Sequence, residues 1–157
     1  MKVEYINPFV ESAASVLEEI AQLTSERGNL RLKNTDEPFR DVCAILGMVG
    51  DVQGQVIYGF SQPTAKSIVS RMMMGAEVIE FDEMARSALG ELGNIITGKA
   101  SIQLESFGFH VEISPPTLVM AENVRISSLK IPMIVVPLES EVGSIEIYVG
   151  IEENKEQ

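Results

Sequence analysis

The chain has 157 residues, 45% of them apolar and 22% charged, which sets the expectation at one domain with one core and excludes a disordered or fibrous chain. Its net charge of −11 would repel polyphosphate and anionic lipid, so nucleic acid and membrane surfaces are excluded as partners, while a basic protein surface or a small neutral ligand stays open. No apolar run approaches the roughly 20 residues that span a bilayer, and Met1-Lys2-Val3-Glu4-Tyr5 lacks the charged and apolar regions of a secretory leader, so the expected location is cytoplasmic.

Asn7-Pro8 reads as a helix opening, a capping amide followed by proline at the first helical position. Phe9, Ala13, Val16, Leu17, Ile20 and Leu23 then recur at helical spacing. A short strand is expected near Leu30 to Lys33 and a stronger one from Val42 to Val49, joined through Gly50-Asp51 to Gln55 to Phe60 as a β-hairpin. The single cysteine, Cys43, lies among Val42, Ala44 and Ile45; it has no disulfide mate and reads as a packing thiol.

Ser61-Gln62-Pro63 opens a second helix, striped with Ala65, Ile68, Val69, Met72 and Met73 and stopped by Gly75. The run Met72-Met73-Met74 is expected to fill core space at its end. Asp82 begins a third pattern that continues without proline to Phe107-Gly108, some 25 residues and about 37 Å of helix. Phe109 to Ile113, Thr117 to Met120, Lys130 to Leu138 and Ser144 to Ile151 read as strands, with Pro115-Pro116 breaking between the first two. His110, between Phe109 and Val111 on an expected strand, reads as structural. Residues 1–157 are expected to form a single domain with a flexible tail at about 152–157. Each half of the chain runs from a helix into strands, a pattern that hints at duplication.

At 100° per residue, Ala85, Leu89, Leu92, Ile96, Ala100, Leu104 and Phe107 form the core face of the third helix. Opposite them lie Ser87, Glu91, Asn94, Gly98, Ser101 and Glu105, flanked by Met84, Ile95 and Ile102; apolar groups bordering polar ones suggest a contact surface. Gly90, Gly93 and Gly98 each cost about 1 kcal/mol relative to alanine inside a helix, so each needs a reason. Gly93 faces the core and is expected to serve packing, whereas Gly98 leaves room above the helix for a partner near Asn94. Glu91 and Asn94, three apart, leave one face about a turn apart.

The string from Ser87 to Ala100, with Glu91 and Asn94 spaced after Ser87 and Pro115-Pro116-Thr117 downstream, resembles the signature of the CheC, CheX and FliY family of chemotaxis phosphatases. The Gly50-to-Phe60 hairpin, the methionine-bearing helix after Ser61 and the length look like the CheX branch, so the resemblance covers nearly the whole chain. CheC and FliY carry two copies of the signature. Here the first helix offers Glu11-Ser12-Ala13-Ala14 and Glu18-Glu19-Ile20-Ala21, with alanine in place of asparagine, and one copy per chain points to CheX.

The resemblance implies an α/β protein of the α+β type, a single domain whose largely antiparallel sheet is covered by long helices, and a homodimer. It implies dephosphorylation of a phosphorylated CheY-like receiver domain, Asn94 orienting the attacking water and Glu91 contacting the lysine beside the aspartyl phosphate. Met84, Ser87, Ile95, Gly98 and Ser101 would meet the partner. The chain would need no cofactor or metal of its own, since Mg2+ is expected on the receiver. An amide that cannot be titrated away suits water positioning, and a carboxylate gives a charge-assisted contact that fixes register. The competing reading is a non-catalytic module that binds a receiver or flagellar switch protein through the same helix face.

Overall fold

The computed structural model describes residues 3–34, 37–126 and 131–155. The elements run α1 (Val3–Ala21), β1 (Ser25–Arg27), β2 (Arg31–Leu32), β3 (Val42–Gly50), β4 (Val52–Phe60), α2 (Gln62–Met72), α3 (Glu83–Ser106), β5 (Val111–Ile113), β6 (Thr117–Met120), β7 (Ile134–Ser140) and β8 (Gly143–Glu153). All strand pairs are antiparallel in one eight-stranded sheet ordered β1-β7-β8-β4-β3-β5, with β2 beside β1 on β7 and β6 beside β5 on β3.

Period-two alternation sorts the strands between two faces. Val42, Ala44, Leu46 and Met48 of β3, with Val56, Tyr58 and Phe60 of β4, join the core under α1, α2 and α3. Cys43, Ile57, Val135 and Tyr148 point the other way into a smaller cluster closed by Phe39, Val124 and Met133. The sheet is therefore apolar on both faces, while helices cover one.

The topology carries an approximate internal twofold relation. The β3-β4 and β7-β8 hairpins lie side by side through β4 and β8, where Gly54 faces Ile151 and, in exchange, Phe60 faces Ile145. Met48 faces Ile113 of β5 as Leu138 faces Arg27 of β1. Helices follow the same relation: Leu92, Gly93, Ile96, Thr97, Ala100 and Leu104 are buried on α3, and Tyr5, Ile6, Phe9, Val10, Ala13 and Leu17 at identical spacing on α1. The repeat hinted at by the order of elements is thus carried by ladder register and burial.

Several expectations are corrected. The first helix begins at Val3, with Pro8 inside it. Proline removes the bond to Glu4, but buried Tyr5 and Ile6 continue the apolar stripe backwards, and Tyr5 packs edge-on to Phe109 with ring centroids 5.4 Å apart. Strand β1 was not expected, since Ser25-Glu26-Arg27 has no apolar residue; its place is fixed by backbone pairing to β7. Phe107 is the cap residue of α3, where helical phase ends, and is 56% exposed instead of buried. Met72 and Met73 pack against the core, but Met74, at φ 58°, is 97% exposed. His110 precedes β5 with an exposed side chain; its backbone N–H donates to Asp51 Oδ2 at 2.7 Å, and its carbonyl accepts from Asp51 N. The tail expected from about 152 is ordered there: Glu152 and Glu153 pair with Gln53 and Val52, and Asn154 N donates to Asp51 O, while the last two residues lie outside the described ones. The strand expected from Lys130 starts outside the described residues; β7 itself begins at Ile134 and is flanked on both sides, so the sheet edges fall at β1/β2 and β5/β6. No helix among the described residues is long and apolar enough to cross a membrane.

Candidate functional site

Helix α3 runs for 24 residues, opened by the Asp82 carboxylate, which accepts from Ala85 N at 2.9 Å. Its inner face buries Ala85, Leu89, Leu92, Ile96, Ala100 and Leu104 against the sheet and α1. Two glycines explain how it lies so close. A Cβ on Gly93 would meet Leu46, Ala44 and Tyr58 at 3.3–3.5 Å, so this glycine lets the helix settle on β3 and β4, as expected. A Cβ on Gly90 would stand 3.2 Å from Leu118 and 3.4 Å from Pro116. The downstream proline of the motif is therefore packed on the helix one turn before Asn94.

The outward stripe carries the predicted residues in order: Met84 and Ser87 exposed, Glu91 exposed, Asn94, Gly98 and Ser101 partly exposed. Nothing lies within 4 Å of a Cβ placed on Gly98, so the space above this turn is open, as expected. Among the described residues, neither the Glu91 carboxylate nor the Asn94 amide makes a hydrogen bond or ion pair. Both present their full hydrogen-bonding capacity to an incoming surface. Ser101 does not: its hydroxyl donates to the Gly98 carbonyl at 2.7 Å. Ile95 is turned toward the core, whereas Met84 and Ile102 are exposed at 63% and 68%. Lys99 is tied to α1, with Nζ 3.2 Å from Glu19 Oε1 and 3.3 Å from Ser15 Oγ. An acidic cleft rimmed by Glu77, Glu80, Asp82 and Met84 lies at the N-terminal end of the stripe. No group of three or more potential metal ligands stands together among the described residues.

Two features escaped the sequence reading. The buried Thr97 hydroxyl donates to the Gly93 carbonyl at 2.7 Å, and the Tyr58 hydroxyl lies 2.9 Å from Thr97 Oγ1. A threonine in the apolar phase of the helix was the available signal. The second is Glu4-Tyr5-Ile6-Asn7, a copy of the Glu and Asn spacing on α1, which the helix-opening pattern of Asn7-Pro8 hides. The internal twofold relation sets Glu4 and Asn7 against Glu91 and Asn94. The copies differ in their surroundings: Pro8 follows Asn7, and Asn7 Oδ1 accepts from Arg27 Nη1 at 3.0 Å.

Comparison with known proteins identifies the family. The profile of the family described as chemotaxis phosphatase CheX matches residues 42–139. The CheY-P phosphatase CheX of Thermotoga maritima is 34% identical over 137 residues, covering 85% of this chain and 88% of that protein. Among solved structures, the CheX–CheY–BeF3–Mg2+ complex from Borrelia burgdorferi is similar at a TM-score of 0.81 and 31% identity, covering 97% of this chain and 100% of that one. A CheC-like superfamily protein from Shewanella sp. PV-4 is similar at a TM-score of 0.87 and 29% identity, over 97% of this chain and 99% of that one.

Proposed function

Because the chain belongs to the CheX family of chemotaxis phosphatases, we propose that it accelerates hydrolysis of the aspartyl phosphate on a CheY-like receiver domain, with the outward face of α3 as the working surface. The observation that carries the residue assignment is the unengaged Glu91 and Asn94 pair on a helix whose opposite face is locked into the core. A rigid platform is what the chemistry needs. The amide of Asn94 accepts a hydrogen bond from water and holds it in line with phosphorus, so that the bimolecular encounter of water and phosphate becomes a step within one complex. Glu91 forms a charge-assisted contact with the receiver lysine beside the phosphate and sets the register. In this reading the divalent metal is the receiver's, and the reaction needs neither a nucleophile nor metal ligands from this chain.

Open space over Gly98 and exposed Met84 frame the pair with room on one side and apolar contact on the other. The chain is further read as a homodimer joined through sheet edges, a reading supported by Leu32 of edge strand β2, which is 65% exposed. Light scattering at micromolar concentration checks it, and a monomer mass would contradict it. The functional test follows phosphate loss from a phosphorylated receiver with and without the chain. Binding without faster loss would favour the non-catalytic module.

A further inference from the structure

Beneath the turn that carries Asn94 lies a chain of buried polar groups that the chemistry above does not use. Thr97 is 0% exposed and donates to the Gly93 carbonyl at 2.7 Å. A threonine hydroxyl has one hydrogen, so with it committed to Gly93, Tyr58 must be the donor across the 2.9 Å contact to Thr97 Oγ1. A phenol is protonated at neutral pH, and burial pushes the Tyr58 phenol further above its ordinary range. The Gly93 carbonyl is also the helical acceptor for the N–H of residue 97, so two hydrogens converge on it, and hydroxyl bonds of this kind tilt the carbonyl they engage. That carbonyl is half of the peptide plane joining Gly93 to Asn94.

The related half of the molecule shows that the fold does not demand this arrangement. The twofold relation sets Val10 against Thr97, Val149 against Tyr58 and Ile6 against Gly93. A small helix residue over a large polar strand residue on one side becomes a large helix residue over an apolar strand residue on the other. Val10 and Val149 are as buried as their counterparts, at 3% and 0% exposed, yet carry no hydroxyl. Buried hydroxyls cost free energy unless satisfied, and the bonded Thr97 and Tyr58 hydroxyls under Glu91 and Asn94 have no counterpart at Val10 and Val149.

We infer that Tyr58 and Thr97 are positioning residues, which act through the Gly93 carbonyl to fix the peptide plane before Asn94 and with it the aim of the amide. The inference rests on the reading of Asn94 as the residue that orients water. Its test compares wild type, Tyr58→Phe, Thr97→Ser, Asn94→Ala and the double variant Tyr58→Phe/Thr97→Val by decay of a phosphorylated receiver over a range of chain concentrations. Thermal melts serve as the folding control. The double variant leaves no hydroxyl orphaned and should fold. Its kcat should fall by about tenfold with a half-saturating receiver concentration within about twofold of wild type, and Thr97→Ser should retain most of kcat. Tyr58→Phe alone should give an intermediate loss. A folded double variant with wild-type kcat, or Thr97→Ser as impaired as the double variant, would overturn the positioning role while an inactive Asn94→Ala still upheld the site. Wild type that leaves receiver decay unchanged would remove the phosphatase reading and this inference together.

Discussion

Glu91 and Asn94 sit one helical turn apart, yet they are assigned different terms of the rate law. A carboxylate reaching a lysine across a protein interface acts in the ground-state complex and in the transition state alike, so Glu91→Ala should raise the half-saturating receiver concentration as well as lower the rate. Because Glu91 is exposed, the contact is screened by ions, and the gap between wild type and variant should narrow as salt rises. Receiver decay measured at low and high ionic strength checks this; a gap indifferent to salt would contradict the ion-pair role. Polarity and spacing put the pair opposite Leu89, Leu92 and Ile96, and the family resemblance, not the spacing, gave it its roles. Tyr58 and Thr97 were not legible, because periodicity records that a position is buried but not which hydroxyl it meets across the sheet.

Among the elements, α3 shows how three glycines serve different ends. Gly93→Val should destabilise by about 1–3 kcal/mol, since Leu46, Ala44 and Tyr58 already stand 3.3–3.5 Å from the first added carbon. Gly98→Ala meets open space and should raise stability by up to about 1 kcal/mol through helix propensity. Urea unfolding of the two variants checks both signs; a stabilised Gly93→Val would show that helix and sheet are not in the contact described. Helices α2 and α3 were readable to their caps, Ser61 and Asp82, because both cap side chains accept from the backbone three residues on. The start of α1 was not, because Asn7-Pro8 satisfies the local rule for a helix opening while the core buries Tyr5 and Ile6 beyond it. Tertiary burial overrode the local signal, and a second Glu and Asn spacing was hidden by it.

Over the whole molecule, the sheet order was the least legible feature, since antiparallel neighbours β1 and β7 lie far apart in sequence and Ser25-Glu26-Arg27 has no pattern of its own. Burial of titratable groups on both sheet faces has a consequence for alkaline stability. Desolvation, followed by the charges of Asp41 and Glu146, pushes the Cys43 thiol from 9.0 up to about 12, and burial raises Tyr58 and Tyr148 as well. Each is neutral when protonated, and the folded chain holds that proton more tightly than the unfolded one. Their contribution is therefore complete below the unfolded values and is lost as pH rises from about 9 through the folded values. The urea midpoint should fall across that range, and less steeply in Cys43→Ala; an alkaline plateau in wild type would contradict the burial described.

In the proposed mechanism a rigid helix lends one amide to chemistry that takes place on another protein. The most direct measurement of that role is the decay of a phosphorylated CheY-like receiver at saturating concentrations of wild type and of Asn94→Ala, with circular dichroism as the folding control. Asn94 stands on the outward stripe and is only partly buried, so the variant should fold and still bind the receiver. Wild type should speed decay, and saturating Asn94→Ala should lower that acceleration by about 100-fold or more. A folded Asn94→Ala chain that accelerates decay as fast as wild type would contradict the mechanism.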